Sequence, residues 1–271
     1  MACPVQQAHP VPTDVTLLDT LLDPGRLSVV FQPIFEVGSG QLSLHGVECL
    51  IRGPKGTNAE RPSVLFEYVR RKRAEAAIDR ACIVTAITEA AQFPVLCRLN
   101  LNVHASTLGR DLGFPAFLLD LAAKHGIPPQ MLVIEIVEHA PPLDVPAFRR
   151  ALAELREAGL TIALDDVGLG QSNYKMILDV RPDIYKLDRY LVAGAWNDPY
   201  RQVILDSLAR MVRRLEARAV AEGVEDSNEL VAVEAAGIDL VQGFLFARPL
   251  PREALVASGV LAGQVPVVSA P

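Results

Sequence analysis

The chain has 271 residues, half of them hydrophobic and 21% charged, with a mean hydropathy of +0.25. That composition excludes an intrinsically disordered protein, which would be poorer in apolar residues and carry more net charge. Lys and Arg number 26 against 32 Asp and Glu, a formal net charge of −6, which argues against a broadly basic surface for DNA or RNA. The length suits two small domains or a single α/β barrel of roughly 250 residues.

Residues 1–15 carry Pro at 4, 10 and 12 and read as a loose tail. They have neither a cationic start nor a continuous apolar run, so they do not read as a secretory signal. The first strand candidates are 28–35 (SVVFQPIF) and 42–51 (LSLHGVECLI). A GSG turn at 38–40 lies between them, too short for a parallel crossover, so the two are expected to form an antiparallel hairpin. Residues 63–92 follow with helical spacing, as one long helix or two. Strand candidates at 97–103, 132–138, 161–166, 184–188, 219–224 and 240–246 then alternate with helical patterns at 114–125, 145–158, 200–217 and 226–236. Strand and helix in repeated alternation mark a parallel sheet with crossover helices, here a barrel or a large open sheet. Residues 16–258 are expected to form one domain, with 259–271 as a C-terminal tail. The apolar stretch 254–271 is broken by Gly and Pro and is shorter than the ~20 residues that span a bilayer. Cys3, Cys49, Cys82 and Cys97 include no Cys-x-x-Cys pair, which fits buried free thiols in a reducing compartment. A cytoplasmic protein with no membrane segment is expected.

The informative feature is where the polar residues fall. Glu48, Glu135, Asp165, Asp166 and Glu222 sit at or near the ends of expected strands, as do Asn102, Lys186 and Gln242. In a barrel those ends converge on one face, where active sites sit. Carboxylates gathered at one mouth repel unless they are protonated or bind cations. A set of Glu, Asp and Asn oxygens suits Mg²⁺ or Mn²⁺ better than zinc. The adjacent pair Asp165 and Asp166 can place one carboxylate on each of two neighbouring ions, and two ions roughly 3.5–4 Å apart are a recurrent device for phosphodiester hydrolysis.

These residues stand in motifs that resemble the EAL family of cyclic di-GMP phosphodiesterases. The motifs are Phe31-Gln-Pro-Ile, Val47-Glu-Cys-Leu-Ile-Arg52, Asn102-Val-His, Glu135-Ile-Val-Glu138, Leu164-Asp-Asp-Val-Gly168, Tyr185-Lys-Leu-Asp-Arg189, Val220-Ala-Glu-Gly-Val-Glu225 and Val241-Gln-Gly-Phe-Leu-Phe. They span roughly residues 28–252 in the right order, and the naming Glu-Ala-Leu stands here as Glu48-Cys49-Leu50. The resemblance implies a modified TIM (β/α)8 barrel with one antiparallel strand, in a stand-alone domain. It implies Glu48, Asn102, Glu135, Asp165, Asp166 and Glu222 as ligands of two divalent cations, Mg²⁺ or Mn²⁺, with Ca²⁺ inhibitory. Lys186, Asp166 and Glu222 would serve catalysis, Lys186 at a metal-bound water and Glu222 as general base. Gln32, Leu50, Arg52 and Gln242 would contact substrate, Arg52 by pairing with phosphate. Glu138 would brace the loop after Asp166, Asp188 would stand beside the lysine, and Gly168 would allow the loop to turn. The implied reaction opens cyclic di-GMP to linear pGpG, in a homodimer.

Four places depart from the family pattern. The loop that usually reads Asp-Asp-Phe-Gly-Thr-Gly-Tyr-Ser-Ser is here Asp165-Asp166-Val167-Gly168-Leu169-Gly170-Gln171-Ser172-Asn173. Val137 replaces a usual Thr, and His104 replaces a usual Ser and reads as a structural histidine. The run Arg70-Arg71-Lys72-Arg73 reads as a solvated helix face, or as a docking face for an acidic partner or RNA. The altered loop motivates an alternative function, a cyclic di-GMP receptor that binds without cutting; the basic run motivates a signalling scaffold.

Overall fold

The computed structural model describes residues 16–23, 25–38, 41–137, 144–168 and 173–264. Eight strands close into a barrel in chain order: β1 (Ser28–Gly38), β2 (Gln41–Arg52), β3 (Arg98–His104), β4 (Leu132–Val137), β5 (Thr161–Val167), β6 (Ile184–Leu187), β7 (Arg218–Ala221) and β8 (Leu240–Val241). Strands β2 to β8 run parallel, and β1 is antiparallel to both of its neighbours. The expected hairpin and the modified TIM barrel are therefore what the chain forms. With β1 reversed, its early residues lie at the same end as the C-terminal ends of the other seven strands.

Helices surround the barrel: α1 (Leu17–Leu22), α2 (Pro62–Lys72), α3 (Glu75–Ala90), α4 (Ala105–Arg110), α5 (Phe114–Lys124), α6 (Val145–Glu157), α7 (Asn173–Val180), α8 (Arg189–Val192), α9 (Pro199–Arg214), α10 (Ser227–Ala235) and α11 (Arg252–Ala257). The helical stretch 63–92 resolves into two, because Arg73 takes a left-handed conformation (φ +55°) and caps α2. Helix α6 begins on Asp144, whose carboxylate accepts from the Ala147 N–H, and buries Phe148, Leu152 and Leu155. Asp198 and Asp226 cap α9 and α10 in the same way, each satisfying N–H groups that have no partner within the helix.

The pleat explains how one barrel interior carries two chemistries. Alternate residues of a strand face the same side. Ile34, Val133, Ala163, Ile184, Val220 and Leu240 form an apolar cluster inside the barrel, separate from the larger core between sheet and helices. Two residues further toward the upper end stand Gln32, Glu135, Asp165, Lys186, Glu222 and Gln242. Strand β8 is shorter than expected, ending at Val241. A side chain at Gly243 would collide with the Val224 backbone, 2.0 Å from its carbonyl oxygen, so the chain turns there against the loop after β7. Packing continues past residue 258, with Val260 and Leu261 buried.

Cys49, Cys82 and Cys97 are free thiols. No helix among the described residues is long and apolar enough to cross a membrane.

Candidate metal centre

The upper end of the barrel is organised around one lysine. Lys186 on β6 is 1% exposed, and its Nζ lies 2.7 Å from Glu135 Oε2, 2.9 Å from Glu222 Oε1, 3.2 Å from Asp165 Oδ1 and 3.4 Å from Glu48 Oε2. Four carboxylates from four different strand ends thus share one ammonium group. Neutral amides hold the acids from outside. Asn102 Nδ2 donates to Glu48 Oε1 at 2.9 Å, and Gln242 Nε2 donates to Glu48 Oε2 at 2.7 Å and to Gln32 Oε1 at 3.2 Å. Gln32 and Glu48 are directly opposed in the β1–β2 register, which carries β1 into the site.

The electrostatics follow from enclosure. Burial pushes Glu135 up to about 8, with Glu48 and Asp165 adding repulsion and Lys186 opposing it. Burial likewise raises Glu222 well above the usual carboxylate range, and the charges of Asp165 and Glu48 add to it. Glu48 is buried too, but Lys186 and the Asn102 and Gln242 donors outweigh that and hold it below its ordinary value. For Lys186 burial works against the charge, yet the surrounding carboxylates raise it far above the ordinary lysine value. One cation among so many acids leaves surplus negative charge in a poorly hydrated space, and bound cations relieve it.

Asp165, Asp166 and Glu222 can bring one carboxylate oxygen each within 4.8 Å of one another, close enough for a shared ion. The β5–β6 side explains why two adjacent acids face the same centre. The β5–β6 register shifts between Leu164 and Val167, and Asp166 has φ +53°. This irregularity breaks the pleat's alternation, which would otherwise send neighbouring side chains to opposite faces. A left-handed conformation at a non-glycine residue is strained and is common at functional sites. Two residues after Asp166, Gly168 has φ +106°, and a side chain there would meet Leu191 Cδ1 at 2.3 Å.

The expected site residues separate clearly. Gln32, Glu48, Asn102, Glu135, Asp165, Asp166, Lys186, Glu222 and Gln242 come together. Leu50 and Arg52 line the adjoining cleft, with Arg52 Nη1 donating to the Ile51 carbonyl. Asp188, two residues after Lys186, caps α8, its carboxylate accepting from the Tyr190 N–H. A residue two places after Lys186 on a strand that ends at Leu187 has left the sheet, and the helix start claims its side chain. Glu138 and loop residues 169–172 lie outside the described residues. His104 is a buried structural group, its Nδ1 2.8 Å from Asp79 Oδ1, with Thr107 Oγ1 donating to Asp79 Oδ2 at 2.6 Å. In the basic run, Arg70 and Arg71 pair with Glu67 one turn back, and Lys72 lies over the Tyr68 ring. Sequence reasoning missed Asn100, which is buried beneath Glu135 and donates to its Oε1 at 2.6 Å. The signal was present in Leu99-Asn100-Leu101-Asn102, a period-two alternation with amides on one face.

Two cavities adjoin the carboxylates. One, of about 250 Å³, extends under α2 and α3 past Arg52, Phe66, Ile83 and Leu101. The other, of about 360 Å³, extends toward β8 past Arg189, Gln242 and Phe244. Both are walled by Glu48, Leu50, Asp165 and Asp166, so they are two lobes on either side of one acidic centre.

Comparison with known proteins agrees with this geometry. The chain matches the EAL domain family over residues 16–249 and belongs to it. It is 26% identical over 221 residues to the probable cyclic di-GMP phosphodiesterase PdeD of Escherichia coli, covering 81% of this chain and 41% of that protein. It is 29% identical over 243 residues to the cyclic di-GMP phosphodiesterase NbdA of Pseudomonas aeruginosa, covering 85% of this chain and 30% of that protein. The chain therefore spans less than half the length of these relatives. Among solved structures, Klebsiella pneumoniae BlrP1 in a calcium and cyclic di-GMP complex superposes with a TM-score of 0.73 at 29% identity, over 84% of this chain and 56% of that one. A stand-alone EAL protein from Vibrio cholerae in its cyclic di-GMP-bound form gives 0.72 at 26% identity, over 83% of this chain and 93% of that one.

Proposed function

We propose that the chain hydrolyses cyclic di-GMP to linear pGpG with the help of two divalent cations, Mg²⁺ or Mn²⁺. The observation that carries this reading is the ring of four carboxylates around Lys186, continued by Asp166 on the strained bulge. The donor set fits hard cations, being carboxylate and amide oxygens without cysteine or histidine. Asp165 Oδ1 is turned into the centre, 3.2 Å from the Lys186 ammonium. Glu48, Asn102, Glu135, Asp165, Asp166 and Glu222 would hold the ions. Bound there, such ions ionise water near neutral pH and neutralise charge on phosphate oxygens.

The chain's own groups do the rest. Lys186 supplies a fixed positive charge that favours an anionic nucleophile beside it. Glu222, whose Oε1 lies 2.9 Å from Lys186 Nζ, would take the proton from that nucleophile. Gln242 fixes Glu48 and Gln32 together, so the β1–β2–β8 wall presents one rigid polar edge. Arg52 offers a guanidinium for phosphate. The two lobes flanking the acids support a ligand with a base at either side of its phosphates.

The replaced loop residues Leu169 and Gln171 favour one second reading, a receptor that binds the dinucleotide without cutting it. Incubating the purified chain with cyclic di-GMP and Mn²⁺ and resolving the products by chromatography separates the two. We expect pGpG to accumulate; nucleotide that is bound by metal-loaded protein and recovered intact would establish the receptor.

A further inference from the structure

We propose that Asn100 is a positioning residue that fixes the Glu135 carboxylate for cation binding; this rests on reading the acidic centre as a metal site. Asn100 is 1% exposed and lies one layer below the centre, opposite Val133 in the β3–β4 register. Its neighbours at that height are the apolar residues that close the barrel interior, among them Val133 and Ala163. A leucine-like side chain would serve packing there. Instead the position holds an amide whose Nδ2 donates 2.6 Å upward to Glu135 Oε1 and whose Oδ1 is buried with no hydrogen-bond partner. Burying an amide with half of its polar capacity unused is unfavourable, and the one bond it makes goes to a carboxylate of the site.

That bond has a geometric consequence. The terminal torsion of a glutamate is soft, so its carboxylate plane is not fixed by rotamer preference. Lys186 holds Oε2 from the centre at 2.7 Å, and Asn100 holds Oε1 from below. Two donors on opposite oxygens fix the plane, with Oε2 held on the Lys186 ammonium that Glu48, Asp165 and Glu222 also face. An amide has no charge to add to the centre and no proton to lose in the working range, so the hold is constant. Partners that orient a metal ligand in this way typically contribute 10–100-fold to metal affinity.

The test is Mn²⁺ calorimetry on the full chain without nucleotide, comparing wild type, Asn100→Leu, Glu135→Ala and the double variant. Asn100→Leu is expected to bind Mn²⁺ about 10–100-fold more weakly while keeping its circular dichroism spectrum. In the Glu135→Ala background the same change is expected to have no further effect, a coupling that a merely structural residue would not show. If Asn100→Leu does not fold, Asn100→Ser takes its place, since the shorter side chain keeps the position polar and withdraws the donor from Glu135. Wild-type affinity in the folded single variant, or losses that add in full, would overturn the proposal. A wild-type chain that takes up no Mn²⁺ would overturn the cation reading itself, so the two failures are distinguishable.

Discussion

The barrel interior has two layers built from the same strands, and they obey opposite rules. The lower layer, Ile34, Val133, Ala163, Ile184, Val220 and Leu240, has no polar side-chain atom and is held by packing. The layer two residues above it replaces these with Gln32, Glu135, Asp165, Lys186, Glu222 and Gln242. A buried apolar layer gains from every neighbour. A buried carboxylate layer gains only from its partners and is strained by its own members, since one ammonium faces four acids. The difference assigns stability to one layer and chemistry to the other, with Asn100 at their boundary.

The sharpest way to break this division is Lys186→Met. It leaves the acids without their internal cation, and we expect hydrolysis to fall by about a hundred- to a thousandfold in kcat. Retention of wild-type kcat would remove Lys186 from the chemistry. The matching change below is Ile34→Ala, which opens a cavity in the apolar layer. Denaturant unfolding is expected to show a loss of about 2–5 kcal/mol, with the folded protein's kcat unchanged. If kcat fell while stability held, the layers would not be separable as described.

Smaller changes sharpen the comparison. Gly168→Ala places a side chain at φ +106° against Leu191, so it is expected to destabilise the turn after Asp166 by about 1–3 kcal/mol and to slow turnover. Unfolding and kcat measured together check it. The smallest effect lies at the bottom rim. There His45 Nδ1 is 3.4 Å from Arg218 Nη1, and burial, then the charges of Arg218 and Arg98, lowers the imidazole to about 4. Its folded value lies below its unfolded one. The stabilisation is therefore complete above the ordinary value of 6.5 and is lost as pH falls through about 4. As pH falls over that window the melting temperature of wild type is expected to drop relative to that of His45→Asn, and a constant difference would remove His45 as the cause.

Much of this organisation was legible in the sequence because it depends on periodicity. Apolar runs gave the strands, the GSG turn gave the reversed β1, and acids at run ends gave the gathering of carboxylates at one mouth, though not their ring around Lys186. What depends on backbone irregularity was not legible. The alternation rule sends Asp165 and Asp166 to opposite faces, and only the bulge with its left-handed residue explains how both reach one centre. Asp188 shares the motif of Lys186, but whether its carboxylate turns inward or caps a helix depends on where β6 ends. Asn100 was not legible because an amide in a strand carries no signal until its partner, Glu135 on the neighbouring strand, is known.

The most direct test of the central claim is hydrolysis of cyclic di-GMP by chain stripped with EDTA and then titrated with Mn²⁺. Turnover that is absent in EDTA, returns as Mn²⁺ fills the acidic layer, and fails to return in Asp165→Asn is the predicted result. Turnover of the stripped protein at the metal-loaded rate would contradict it.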